Sequence, residues 1–250
     1  SPFAGALLFN YVGNFIYEGD APLAERRAQA LMVDPAQLRE LLGAVELREL
    51  LDPEALAQLE AQLQCLAEDR QVRSADGVHD LLLRLGDLRE DEVLARCSAD
   101  AETTRGFIQA LVAARRVVLL RLPHAGPAGG DDHRYIAAED AARYRDALGV
   151  PLPLGLPTAL LAPVADPLGD LATRYARTHG PFRLADCAAR FGLGVASFRA
   201  AFGALCASGR VIEGAFRPGG SEPELCEAEV LRQLRQRSLA RLRREVEPVP

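Results

Sequence analysis

Leu168-Gly-Asp-Leu-Ala-Thr-Arg-Tyr-Ala-Arg-Thr-His179 has the apolar spacing of a helix, and Gly180-Pro181 stops it. A short extended piece, Phe182-Arg183-Leu184, leads into a second helix, Asp186-Cys-Ala-Ala-Arg-Phe191. Gly192-Leu193-Gly194 then makes a tight turn before a third helix from Val195 to about Ser208. Gly209 sits just past its end, where a left-handed cap suits a residue without Cβ. Arg210-Val-Ile-Glu-Gly-Ala-Phe216 alternates like a half-buried strand, and Pro218-Gly219-Gly220 is a turn. Glu224-Leu-Cys226 can return as the partner strand before a long final helix. Three helices followed by a two-stranded ribbon is the order of a winged helix.

Residues 74–150 repeat that order. Ala75–Leu85, Glu90–Cys97 and Glu102–Arg115 read as helices, the third with Phe107, Ile108, Leu111 and Val112 on its inner face. Val117-Val-Leu-Leu-Arg-Leu122 is strongly β-prone, Pro123 to Asp132 is a turn, and His133-Arg-Tyr-Ile-Ala137 is the return strand. Glu139–Leu148 closes the unit. Aligned at the first strand and at the closing helix, the two copies differ by a longer wing in the first. The expected fold is mainly α with short β-ribbons. A helical segment over 1–72, read as a packing arm, precedes a winged-helix-like domain over 73–150. A Pro-rich packed linker over 151–165 joins it to a second winged helix over 166–250.

Before the repeat, Leu7, Leu8, Tyr11, Val12, Phe15 and Ile16 share one helical face. Asp20 with Pro22, Asp34-Pro35 and Asp52-Pro53 each read as an N-cap acid followed by a helix-starting proline. Gln62-Leu63-Gln64 is similar to a glutamine pair of some base-excising enzymes, but residues two apart on a helix point away from each other. Between the repeats, Pro151, Pro153, Pro157 and Pro163 forbid regular helix, while Leu152, Leu154, Leu156, Leu160 and Leu161 are too apolar for a solvated tether. That segment is read as extended and packed.

All 29 basic side chains are arginine. Without lysine there is no P-loop lysine and no Schiff-base nucleophile. His79, His124, His133 and His179 share no HExxH spacing and are expected at surfaces or caps; no Gly-x-Ser-x-Gly elbow occurs. No apolar run approaches the roughly 20 residues of a membrane helix. Five cysteines, odd in number and never spaced as CxxC, read as reduced and buried. No catalytic machinery or metal site is expected in this stretch. The chain starts Ser1-Pro2 with Met32 its only methionine, and is read as a piece of a longer protein.

Charge is uneven. Residues 1–70 carry 12 acids against 5 arginines, residues 71–150 carry 13 against 11, and residues 151–250 carry 10 against 13. Only the last segment has the sign that a phosphate backbone attracts. Its third helix should bury Val195, Phe198, Phe202 and Leu205 and expose Arg199 among Ala196, Ser197, Ala200, Gly203 and Ala204. One arginine among small residues is a weak base reader and suits close helix packing equally well. Arg217 belongs to the wing, where arginines meet phosphates. On the final helix Leu231, Leu234, Ser238 and Leu242 face inward, while Arg237, Arg241 and Arg244 form a row flanked by Arg232, Arg235 and Arg243. The expected nucleic-acid contacts are Arg199, Arg217, Arg232, Arg237, Arg241 and Arg244. A solvated face pairing with Glu227, Glu229 and Glu245 is the other reading of that row.

Several blocks carry a family resemblance: Phe15-Ile-Tyr-Glu-Gly-Asp-Ala-Pro-Leu-Ala-Glu-Arg-Arg27, Glu46-Leu-Arg-Glu-Leu-Leu-Asp-Pro53, Ala138-Glu-Asp-Ala-Ala-Arg-Tyr-Arg145 and Asp166-Pro-Leu-Gly-Asp170. Tyr175-Ala-Arg-Thr-His-Gly-Pro181, Ala228-Glu-Val-Leu231 and Arg237-Ser-Leu239 add to it. The chain resembles the large helicase-related family of bacterial superfamily 2 helicases, in the region after their motor domains. The resemblance implies a cytoplasmic, nucleoid-associated 3′-to-5′ DNA translocase and helicase used in DNA repair. ATP and Mg would belong to the motor domains of the parent protein, with none in this fragment. The implied partners are DNA (single-stranded or tailed duplex, or an RNA–DNA hybrid), the motor domains of the same chain and a second copy in a homo-oligomer, with no membrane. Alternatives are an oligomerisation module whose winged helices are protein interfaces, and a scaffold for a glycosylase-like activity in later domains. The family pattern has a tryptophan where this chain has Leu225, which removes an aromatic stacking contact.

Overall fold

The computed structural model describes residues 51–122, 132–217 and 222–246. The helices expected before residue 51, His124 and both wing turns lie outside the described residues. Helices α1 (Pro53–Leu63), α2 (Ala75–Leu85), α3 (Glu90–Leu94) and α4 (Ala101–Ala113) lead into the ribbon β1 (Val117–Leu122) and β2 (Asp132–Ala137), closed by α5 (Ala141–Leu148). Then α6 (Pro167–Thr178), α7 (Leu184–Arg190) and α8 (Val195–Ala207) precede β3 (Val211–Gly214), β4 (Glu224–Glu227) and α9 (Ala228–Val246). The helix starts are local chemistry. Asp52 accepts from Ala55 N at 2.6 Å with Pro53 behind it, and Asp100 and Asp166 cap α4 and α6 in the same way.

The two ribbons are antiparallel, with Val117 opposite Ala137 and Val211 opposite Glu227. Each gains a third short partner from the segment between its first two helices. Leu88 bridges Tyr135, and Phe182 bridges Leu225, through paired backbone hydrogen bonds of 2.7–3.0 Å. Each closes alike, Ala138 N donating to Arg116 O and Ala228 N to Arg210 O, both at 2.9 Å. Each third helix also ends in a left-handed residue, Gly209 at φ 71° and Arg115 at φ 57°. The second copy uses the residue that this conformation favours, and the first does not.

One core cluster spans the two copies, while the first copy keeps another of its own around Val78, Leu82, Val93 and Ile108. Val118, Leu120, Leu122 and Ile136 of the first ribbon cluster with Tyr144 of α5 and with Leu171, Phe182, Phe198 and Phe202 of the second copy. The segment between them is held down: Leu152, Leu156 and Leu160 pack on that core, Arg145 donates to Leu161 O and Arg115 to Gly155 O, and of its leucines only Leu154 is fully exposed. Helix α1, first among the described residues, packs on the second copy: Leu51, Ala55 and Leu59 bury against Phe216, Cys226, Leu231 and Leu234.

Four sequence expectations change. Val195 is exposed because, as the first residue of α8, its side chain leans out beyond the helix start. Val112 is exposed because it follows Leu111 by one residue, about a quarter turn off the buried face. Helix α3 stops at Leu94, short of Cys97, whose residue range instead bridges Val72. His79 is buried rather than superficial, accepting from Arg116 through Nδ1 (3.1 Å) and reaching Glu139 Oε2 at 3.2 Å through Nε2. His179 is the cap residue expected, at the end of α6.

Candidate nucleic-acid interface

In the second winged helix, α8 holds Phe198 and Phe202 in the core and turns Ala196, Ser197, Arg199, Ala200, Gly203 and Ala204 outward. Added Cβ atoms at Gly194 and Gly203 would meet nothing within 4 Å, so this face is open. Arg199 on its second turn and Arg210 just past its end are exposed and have no ion pair among the described residues. Arg243 and Arg244 on the last turn of α9 are likewise exposed and unpaired among them.

The remaining arginines expected to meet phosphate are otherwise occupied. Arg237 donates to Gln62 Oε1 at 2.7 Å, and Arg241 lies 3.1 Å from Asp52 and 2.6 Å from Glu54. Arg217 lies 3.7 Å from Glu60 and 3.5 Å from Glu224. All three therefore turn toward α1 or the buried Glu224. Arg232 is exposed but forks onto Glu229 one turn away, which holds the Glu229 carboxyl down at about 2. Of the expected set, only Arg199 and Arg244 have no ion pair or side-chain hydrogen bond among the described residues. The helical row on α9 is real. Its partner, the acidic helix α1 more than 160 residues earlier, could not be read from spacing.

Two buried networks, neither visible in the sequence, tie the two copies together. Asp87, 2% exposed, accepts from Tyr144 Oη at 2.8 Å and from Arg134. Arg190 of α7 reaches across to Asp87 (3.1 Å) and to Glu92 of α3 (2.5 Å). Burial pushes the Tyr144 phenol well above its ordinary range, so it stays a donor. Beside this network lies a cavity of about 30 Å³ lined by Gln64, Asp87, Tyr144, His179 and Arg190 among others.

Gln64 is the second hub. Its Oε1 and its backbone carbonyl accept from Arg96, and its amide donates to Thr178 O (2.7 Å) and meets His179 Nε2 at 3.3 Å. His179 Nδ1 donates to Tyr175 O at 2.9 Å while the ring stacks on Tyr175 at 3.7 Å. Both nitrogens are thus satisfied with the ring neutral, and burial lowers its pKa to about 4. Gln62 and Gln64 do point apart, each to a structural partner. Leu225, where the resemblance leads to the expectation of a tryptophan, is buried in the core cluster that spans both copies.

Residues 49–163 match the family model described as "Large helicase-related protein, winged-helix domain". Across 249 residues, 100% of this chain, the sequence is 50% identical to a protein of Mycolicibacterium smegmatis named "Lhr helicase/ probable uracil glycosylase". Over the same length it is 38% identical to "Lhr helicase/uracil glycosylase" of Escherichia coli. The chain belongs to the large helicase-related (Lhr) family. It spans 16% of the first Lhr relative's length and 15% of the second's. The Lhr winged-helix match takes in α1, which packs on the second copy, and ends inside the Pro-rich segment. The second copy, α6 to α9, lies beyond that match and repeats its hydrogen-bonding plan. Among the described residues no helix is long and apolar enough to cross a membrane.

Proposed function

We propose that this tandem winged-helix region is the nucleic-acid-engaging accessory part of an ATP-dependent 3′-to-5′ DNA helicase acting in DNA repair. The observation that carries the reading is the open face of α8, with Arg199 on it and Arg210 just past its end. Small side chains there let a duplex or a strand approach the helix backbone, and unpaired guanidinium groups meet phosphates without reading bases. ATP and Mg would bind the motor of the parent protein; this chain has no lysine and does not fit a P-loop site. The glycosylase in the relatives' names, if carried by the parent, would sit elsewhere in it, with this region as scaffold.

The test is fluorescence anisotropy of the 250-residue chain with a labelled single strand, a tailed duplex and an RNA–DNA hybrid over a salt series. Replacing Arg199, Arg210 and Arg244 by alanine should make the log–log salt slope less negative by roughly 2–3 on duplex, about 0.9 per lost phosphate contact. An unchanged slope would move α8 to the second reading, a protein interface, which its small-residue face and exposed Val195 favour. Light scattering across a concentration series would then show a second copy docking there.

A further inference from the structure

A groove of about 530 Å³ runs where α2, α5 and α6 meet, on the seam between the two winged helices. Its volume is within the roughly 300–1,000 Å³ of ligand clefts. Four arginines line it: Arg84 from α2, Arg143 from α5, and Arg174 and Arg177 from α6. Beneath them lies Asp140, whose side chain is 3% exposed. Arg174 forks onto it at 2.5 and 2.9 Å, and Arg143 pairs with it while reaching Asp170 at 3.0 Å. A single buried carboxylate thus fixes two guanidinium groups at the groove floor. Arg84 and Arg177 are exposed and have no ion pair or hydrogen bond among the described residues. Four positive charges stand against Asp140 and Asp170, a local excess of two on a chain whose net charge is −6. Neutralising two carboxylates requires two of these arginines and leaves the outer pair unexplained.

We propose that this seam is a second nucleic-acid site, which takes the phosphodiester backbone of a single strand. Arg84 and Arg177 would contact phosphates, with Arg143 and Arg174 held in place as fixed positive charges. Leu83, 38% exposed at the same groove, offers a base an apolar surface. No aromatic side chain lines the groove, so binding there is sequence-independent and dominated by charge. The site rests on the nucleic-acid reading above but uses none of its residues, and it lies where the two units join rather than on α8.

The experiment uses the 250-residue chain, labelled oligo-dT and a salt series, with the exposed pair replaced as Arg84→Ala/Arg177→Ala. Two lost contacts on a single strand should make the slope less negative by about 1.4. Arg84→Lys/Arg177→Lys should restore most of it, and the melting temperature of both variants should match the parent chain. An unchanged slope in the alanine pair, with Arg199, Arg210 and Arg244 still contributing, would overturn the seam site and leave the broader reading standing. No salt-dependent binding by the parent chain would overturn both. Loss of binding to polyglutamate with an unchanged oligo-dT slope would assign the groove to an acidic protein segment and overturn the proposal.

Discussion

Asp87 shows how one side chain can hold a joint. It serves Tyr144, Arg134 and Arg190, and those residues come from both winged helices. Asp87→Ala should destabilise the fold by about 3 kcal/mol, because removing one member strands buried charge; urea unfolding measures it. Its neighbour Gly86 stands at φ +91° with the Tyr144 hydroxyl 2.6 Å from where a Cβ would be. Gly86→Ala should therefore disturb the same network as well as strain the backbone. His179 supplies a pH dependence whose sign is fixed. Its folded pKa of about 4 lies below the ordinary 6.5, so the unfolded chain binds the proton more readily. Stability from this group is whole above pH 6.5 and falls as pH drops through that window, at about 1.4 kcal/mol per unit. The urea midpoint should fall from pH 6.5 to 5, before most carboxylates titrate, and His179→Gln should flatten that fall. Neither Asp87 nor His179 announces such a role in the sequence, because the partners of each come from distant segments.

At the level of elements, the legible part is local. Helical periodicity places α2 at Ala75–Leu85, and the inward row Leu231, Leu234, Ser238 and Leu242 is buried as its spacing requires. The same periodicity cannot say what covers that row. The cover is α1, and Ser238, a polar residue in an apolar stripe, is there to accept from Asp52 N at 3.0 Å across a separation of 186 residues. Arg237 and Arg241 are bound into that contact, so spacing that looks like a phosphate row is a docking seam. Arg241→Ala should lower the urea midpoint only slightly and leave the DNA salt slope unchanged, since its charge is already met by Asp52 and Glu54. Leu59→Ala should cost about 2–5 kcal/mol, and amide exchange should show the loss in β4 and α9 of the second winged helix rather than in α2 to α4.

Over the whole molecule, a repeat written twice in the sequence folds as one body. Composition and turn residues reveal both copies, down to the Gly209 cap, but Arg115 hides the matching cap of the first copy in a residue that rarely takes that conformation. The Pro-rich segment reads as packed because its leucines need cover, and the structure supplies that cover from the shared core. The central claim is that the core cluster spanning both copies, with Arg190 tied to Asp87 and Glu92, makes the two winged helices a single cooperative unit. Differential scanning calorimetry of the 250-residue chain tests this most directly. One transition with calorimetric and van't Hoff enthalpies equal is the expected result. Two separable transitions, with the second winged helix melting independently of the first, would contradict it.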